Sequence, residues 1–164
     1  MHGEFRHLRY AVRWLDPAAR RHPKSAQRLT ASAIHAALGP DWRLASHSHS
    51  RGTVAVCVAN PPITCLGVDV EYADPARPWR EIAALYLPSA QTADLDASAF
   101  CRLWTFGEAH FKAFGQVPPA GLLLDYARAP LCTDEPVAFG SRRHWYTEAL
   151  PDNFWLNLVW EEEI

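Results

Sequence analysis

Leu66-Gly67-Val68-Asp69-Val70-Glu71 sets two carboxylates two residues apart inside an apolar, β-branched run. Such a run favours a strand, and a strand repeats its side-chain direction every second residue. Asp69 and Glu71 then point to one side, Val68 and Val70 to the other. Acids on a face buried without partners are unfavourable. The segment therefore demands either a strand end open to water or neighbours that compensate two negative charges.

A second constraint lies further along. Asp94 to Phe114 reads as a long helix: Phe100, Leu103, Trp104, Phe111 and Phe114 follow the 3/4 apolar pattern, and Gly115 is placed to cap its C-terminus. Glu108 and Lys112, four residues apart, share a face of it. By themselves they form an ordinary surface pair worth ~0.3–0.5 kcal/mol. His110 is expected at the surface, and Trp104 as the residue that fixes the helix against a sheet. Taken with Asp69 and Glu71, Glu108 and Lys112 make a set suited to a hard cation and a phosphate group.

The chain has 164 residues, 49% of them hydrophobic, enough for a real core in one domain, here read as two lobes, 1–65 and 66–164. A formal charge of −2 gives no global attraction to nucleic acid or an anionic membrane. No apolar run approaches the ~18 residues of a membrane span. The expected partners therefore include neither. Basic residues nevertheless crowd the first thirty positions (Arg6, Arg9, Arg13, Arg20, Arg21, Lys24, Arg28), as an anion-binding surface or a solvated face. Cys57, Cys65, Cys101 and Cys132 show no CxxC spacing, and the first three sit in apolar surroundings as buried free thiols do. With no secretory signal at the N-terminus, a reducing cytoplasm is expected.

The remaining elements follow from punctuation and period. Phe5 to Leu15 reads as a strand, Asp16 to Pro23 as a turn, and Lys24 to Leu38 as a helix stopped by Gly39-Pro40. Trp42 to Ser50, with Ser46-His47-Ser48-His49-Ser50, is polar. Its histidines and hydroxyls can bind phosphate oxygens, although a plain polar loop explains them more simply. Thr53 to Ala59 and Cys65 to Glu71 read as a hairpin around Asn60-Pro61-Pro62. Trp79 to Tyr86 is a short helix before Pro88. Leu122 to Arg128, Arg143 to Glu148 and Asn153 to Trp160 read as strands, the last apolar on both sides and hence central. The order suggests an α+β domain with an antiparallel sheet packed on the long helix. Structural-zinc spacing, a GxSxG nucleophile turn and a glycine-rich phosphate loop are all absent.

Three of these segments, in order, resemble the 4′-phosphopantetheinyl transferases. Ser48-His49-Ser50 is similar to that family's SHS segment. Gly67-Val68-Asp69-Val70-Glu71 matches G-(I/V)-D-(I/V)-E. Trp104-Thr105-Phe106-Gly107-Glu108-Ala109-His110-Phe111-Lys112 resembles W-x-x-K-E-(A/S)-x-x-K, and its distance from Asp69 also fits. The likeness spans roughly Lys24 to Gly121 and lies nearer the two-lobed surfactin type than the trimeric holo-acyl-carrier-protein-synthase type, as a compacted monomer with a shortened first lobe.

The resemblance implies an enzyme that moves the 4′-phosphopantetheine arm of coenzyme A, its co-substrate, onto a serine of an apo acyl or peptidyl carrier protein. Fatty-acid, polyketide, pigment or peptide assembly would be its setting. It implies Mg²⁺, with Mn²⁺ as an alternative, held by Asp69, Glu71 and Glu108. Catalysis would rest on Asp69, Glu108 and Lys112. Lys112, Ser48, His49 and, as a weaker match, Arg28 would bind the nucleotide. Two departures stand out: Gly107 replaces the family's lysine, and a G-K-P stretch before the SHS segment is missing. A glycine inside a helix costs ~1 kcal/mol relative to alanine, so close approach of a strand or ligand is expected at 107. Loss of the lysine cation would either weaken catalysis or be made good by another base from the Arg-rich N-terminus. The alternatives are a transferase-like protein with weak or no turnover that still binds a carrier or coenzyme A, and a metal-dependent phosphoesterase using the same acids.

Overall fold

Alternating and doubly apolar strand segments assemble into two sheets. The computed structural model describes residues 1–16, 23–86, 95–132 and 134–163. The first half supplies β1 (His2–Phe5), β2 (Leu8–Trp14), α1 (Pro23–Leu38), β3 (Leu44–Ser50), β4 (Thr53–Ala59) and β5 (Ile63–Tyr72). The second supplies α2 (Trp79–Tyr86), α3 (Ala97–Phe114), α4 (Ala120–Arg128), β6 (Val137–Phe139), β7 (Arg143–Leu150) and β8 (Phe154–Glu162). Strand orders are β1-β2-β4-β3 and β5-β8-β7-β6, and every pairing is antiparallel. The chain is thus α+β. Among the described residues no helix is long and apolar enough to cross a membrane.

The layers run helix, sheet, sheet, helix. Between the sheets, Leu8, Tyr10 and Val12 of β2 and Cys57 of β4 meet Val68 and Val70 of β5 and Leu156 and Leu158 of β8. Ile34 of α1 covers the outer face of the first sheet at Val54, Val56 and Val58. Leu103, Phe106 and Ala109 of α3 cover the second, with Trp145 and Val159. β4 is buried at all seven positions, which is why Thr53–Ala59 is an unbroken run of small and β-branched residues rather than an alternation. β8 lies between β5 and β7, central as its two apolar sides required.

Glycine sets how closely α3 can lie on this sheet. A Cβ on Gly67 would sit 2.0 Å from the carbonyl oxygen of Ala109 and 2.8 Å from the nitrogen of Ala113. Strand and helix therefore touch backbone to backbone at that point. Gly107, where close approach was expected, has nothing within 4 Å of an added Cβ. Asp96 caps the N-terminus of α3 by accepting from Ala99 N–H at 2.7 Å. Gly115 ends it at φ 68° with its N–H on Phe111 O.

Beneath α3 lies a buried polar network. Asn157 accepts from Tyr126 OH and from Thr147 Oγ1, each at 2.7 Å, and donates to Arg102 O at 3.2 Å. Arg102, 3% exposed, has no carboxylate partner among the described residues. It donates instead to the carbonyls of Tyr126, Ala127 and Pro130 at 3.0–3.2 Å, where α4 ends. A cation there satisfies carbonyls that a helix end leaves open.

Several expectations need correction. The hairpin of Thr53–Ala59 with Cys65–Glu71 does not form: β2 and β3 occupy both edges of β4, so β5 joins the other sheet beside β8. The change of sheet falls at residues 60–62, just before the expected lobe boundary at 65/66. Leu122–Arg128 is helical, because Leu123 and Tyr126, three apart, are the buried pair. The polar Trp42–Ser50 stretch contains a strand, β3, at a sheet edge. Phe5–Leu15 is divided by a turn at Arg6-His7 into β1 and β2. Phe111 is 50% exposed, and Phe106 fills the core in its place. His110 is buried, not superficial, and donates from Nδ1 to Gln116 O at 2.9 Å; burial pushes its pKa down. Cys57 and Cys101 are buried free thiols, while Cys65 is partly exposed. Residues 17–22 of the expected Asp16–Pro23 turn, and Pro88 and Asp94, lie outside the described residues, as do Arg20 and Arg21.

Gly67→Ala is the sharpest test of this packing. Overpacking of a tight contact typically costs about 1–3 kcal/mol, and here backbone faces backbone. Denaturant unfolding of the variant should show a loss at or above the upper end of that range; an unchanged midpoint would contradict the contact.

Candidate functional site

β5 presents its acids to α3. Val68 and Val70 are fully buried between the sheets, so Gly67, Asp69 and Glu71 take the opposite face. Because Gly67 admits α3 closely, the helical turn carrying Glu108 and Lys112 comes over Asp69. Lys112 Nζ donates to Asp69 Oδ1 at 2.7 Å and to Val68 O at 3.1 Å. Its ion pair thus crosses to the strand and is not the i,i+4 pair with Glu108 that helical spacing alone suggests.

β3 contributes hydroxyls. Ser48 Oγ donates to Asp69 Oδ1 at 2.6 Å, and Ser50 Oγ to Glu71 Oε2 at 2.7 Å. Ser46 Oγ accepts from Val68 N–H at 3.1 Å, and Ser50 Oγ from Tyr72 N–H at 3.2 Å. The serines of the SHSHS run face β5, while His47 and His49, exposed, take the other side toward α1. This division gives the polar run its period of two.

Two clefts adjoin at β3. One, of about 310 Å³, brings together Asp69, Glu71, Glu108 and Lys112 with Ser48 and His49, and adds His47, Arg77 and Trp104. The other, of about 810 Å³, lies between α1 and β3. Lys24, Arg28 and His35 line it from the helix, His47, Ser48 and His49 from the strand, and among the described residues no carboxylate does. Arg28 therefore belongs to the second cleft and meets the other expected site residues only at Ser48 and His49.

Arg77 was not foreseen. It enters the first cleft from the loop after β5, and among the described residues none of the N-terminal arginines lines that cleft. A turn holds that loop: Asp74 Oδ1 accepts Ala76 N–H at 3.0 Å, Asp74 O accepts Arg77 N–H at 3.1 Å, and Arg51 pairs with the Asp74 carboxylate. The Arg77 guanidinium lies 5.5 Å over the Trp104 ring. Trp104 packs toward Phe100 and α2 rather than onto the sheet as expected. The Asp-Pro-Ala-Arg-Pro stretch that follows the acids was the available signal.

Asp69 is the electrostatic centre, 4% exposed. Burial pushes its pKa up from near 3.8 to about 6, against the pull of Lys112 and Ser48, and neighbouring Glu71 adds to the rise. Oδ1 has two donors, but Oδ2 is buried with no hydrogen-bond partner. A buried anionic oxygen of this kind is where a cation gains most. Among the described residues no three His, Cys, Asp or Glu side chains are drawn together as a ready metal cage. The carboxylates that line the cleft are nevertheless hard oxygen donors, few in number, with Glu71 and Glu108 half-buried. They fit Mg²⁺, which keeps waters and substrate phosphates in its shell. Asp69, Glu71 and Glu108 are the residues that would hold it.

No protein-family model matches this chain, and no curated protein matches its sequence.

The raised pKa gives a pH signature. Between about pH 4 and 6 the folded state keeps a proton on Asp69 that the unfolded chain has lost, so stability falls as pH rises through that window. The full effect is about 3 kcal/mol above pH 7. Asp69→Asn removes it. In metal-free buffer the variant should melt above the parent at pH 7.5 and match it near pH 4; a variant less stable at both values would refute the assignment.

Proposed function

We propose that the chain is a Mg²⁺-dependent 4′-phosphopantetheinyl transferase, with Mn²⁺ as an alternative metal. It would act as a cytoplasmic monomer on coenzyme A and an apo acyl or peptidyl carrier protein. One observation carries this reading. Asp69 and Glu71 of a strand and Glu108 and Lys112 of a later helix line one cleft with Ser48 and His49, and the buried Oδ2 of Asp69 has no hydrogen-bond partner among the described residues. The neighbouring cationic cleft supports it. Coenzyme A carries a 3′-phosphate on its ribose and a pyrophosphate beyond it. Lys24, Arg28 and His49 suit the first, Lys112 and the acids the second. Two helix-backed sheets, one per lobe, are also what a compact two-lobed member of that family would need.

In this reading the carrier serine Oγ attacks the phosphorus that bears the pantetheine arm. A new P–O bond forms, the bond to the bridging oxygen breaks, and adenosine 3′,5′-bisphosphate leaves. Glu108, half-buried at the cleft wall, accepts the serine proton, directly or through a water. Lys112 offsets charge on the transferring phosphoryl while Ser48 and Lys112 hold Asp69 Oδ1. A bound Mg²⁺ would neutralise the pyrophosphate and the departing bisphosphate. Arg77 supplies the second cation that Gly107 does not.

Incubation with coenzyme A, Mg²⁺ and a panel of apo carrier proteins, including one encoded beside its own gene, should add the mass of one phosphopantetheine arm. Asp69→Ala and Glu108→Ala should each lower the rate at least about a hundredfold, since a metal centre supplies several kcal/mol of charge stabilisation. Near-parental rates in both variants would sink the site assignment. Binding of coenzyme A or a carrier without transfer would identify the inactive, transferase-like alternative. Breakdown of coenzyme A without an acceptor would identify a phosphoesterase.

A further inference from the structure

Gly107 stands in the interior of α3, where glycine is among the weakest helix formers. Packing does not call for it, since an added Cβ meets no atom within 4 Å. The space beside it is a cavity of about 230 Å³, walled by Phe100, Leu103, Trp104, Phe111 and Leu123 and bordered by Glu108. Trp104 and Glu108 also line the carboxylate cleft. The apolar cavity therefore shares a wall with the phosphate end of the site, and Gly107 lies in its lining.

We propose that Gly107 is a specificity-determining position: its missing side chain keeps open an apolar subsite that takes the aliphatic start of the arm on a phosphate ester held at Lys112. The identity of that ester as coenzyme A rests on the function proposed above; the subsite itself rests on the shared wall. A phosphoryl group between Lys112 and Glu108 places its ester carbons next to Trp104, and the arm of coenzyme A begins there with a branched unit bearing two methyl groups. A cavity of about 150 Å³ holds benzene, so this one has room for roughly six to nine carbons. Lysine at 107 would put a cation into the same space. In this chain Arg77 brings the charge from the opposite wall, which frees the helix position to be empty.

Calorimetric titration with methyl, butyl and hexyl phosphate, in Mg²⁺, tests this on the parent protein, Gly107→Ala and Gly107→Leu. Parental affinity should rise about fourfold per methylene until the cavity is full. Gly107→Leu should keep methyl phosphate and lose the chain-length dependence. Gly107→Ala, which adds only a methyl, should lie between the two and melt above the parent. Parental affinity indifferent to chain length, or an unchanged dependence in Gly107→Leu, would overturn the proposal and leave the cavity to a partner's apolar side chain or a second copy of this chain. In a second arm, Gly107→Leu should weaken coenzyme A at least tenfold and leave adenosine 3′,5′-bisphosphate unaffected; equal loss of both would also overturn it. Parent protein that binds hexyl phosphate but not coenzyme A would refute the coenzyme reading and keep the subsite.

Discussion

The candidate site depends on the backbone contact between Gly67 and the Ala109–Ala113 turn. A sheet and a helix with ordinary side chains between them lie several ångströms further apart, and the ends of their polar residues then spread. Here the separation is small enough for Lys112 to reach across to Asp69 at 2.7 Å and to the carbonyl of Val68. The same approach brings Glu108 to the wall of a cleft whose floor is Asp69 and Glu71. Charge is then set by depth. Asp69 lies deepest, and burial raises its pKa; Glu71 and Glu108 are half-buried.

Such a contact has to be held at its margins. On one side the buried Asn157 network ties α3 and α4 to the sheet, with Arg102 closing the end of α4. On the other, Ser48 and Ser50 each donate to a carboxylate of β5. The turn at Asp74, clasped by Arg51, settles where Arg77 enters. None of these interactions is strong alone, since a net hydrogen bond contributes about 1 kcal/mol. Their geometry matters more, because each restrains a different wall of the cleft.

What the sequence made legible was whatever depends on period and punctuation. The helix ending at Gly115, the face shared by Asp69 and Glu71, the α+β class and the central position of β8 all follow from residues close in the chain. The meeting of residues 69, 108 and 112 was legible through motif order. Pairing was not. β4 and β5 adjoin in sequence and look like a hairpin, yet the partners of β4 were settled by β2 and β3, a competition no local pattern records. Leu122–Arg128 misled because a seven-residue apolar segment does not distinguish its period. At Gly107 no described strand approaches: a glycine in a helix marks either contact or vacancy, and local sequence does not tell the two apart. The contact belonged to Gly67, a glycine already accounted for by its motif.

The hydroxyl seam between β3 and β5 has a consequence of its own. A bare outer edge on β5 is a template onto which a foreign strand can zip. Serine oxygens instead occupy its amides at Val68 and Tyr72, so a would-be intruder finds those donors taken. A backbone ladder would have sealed the edge too, but only in fixed register, with each rung committed to the next. Side-chain rungs are independent of one another. At Val68 and Tyr72 the outer edge of β5 is thereby closed by side chains of the other sheet.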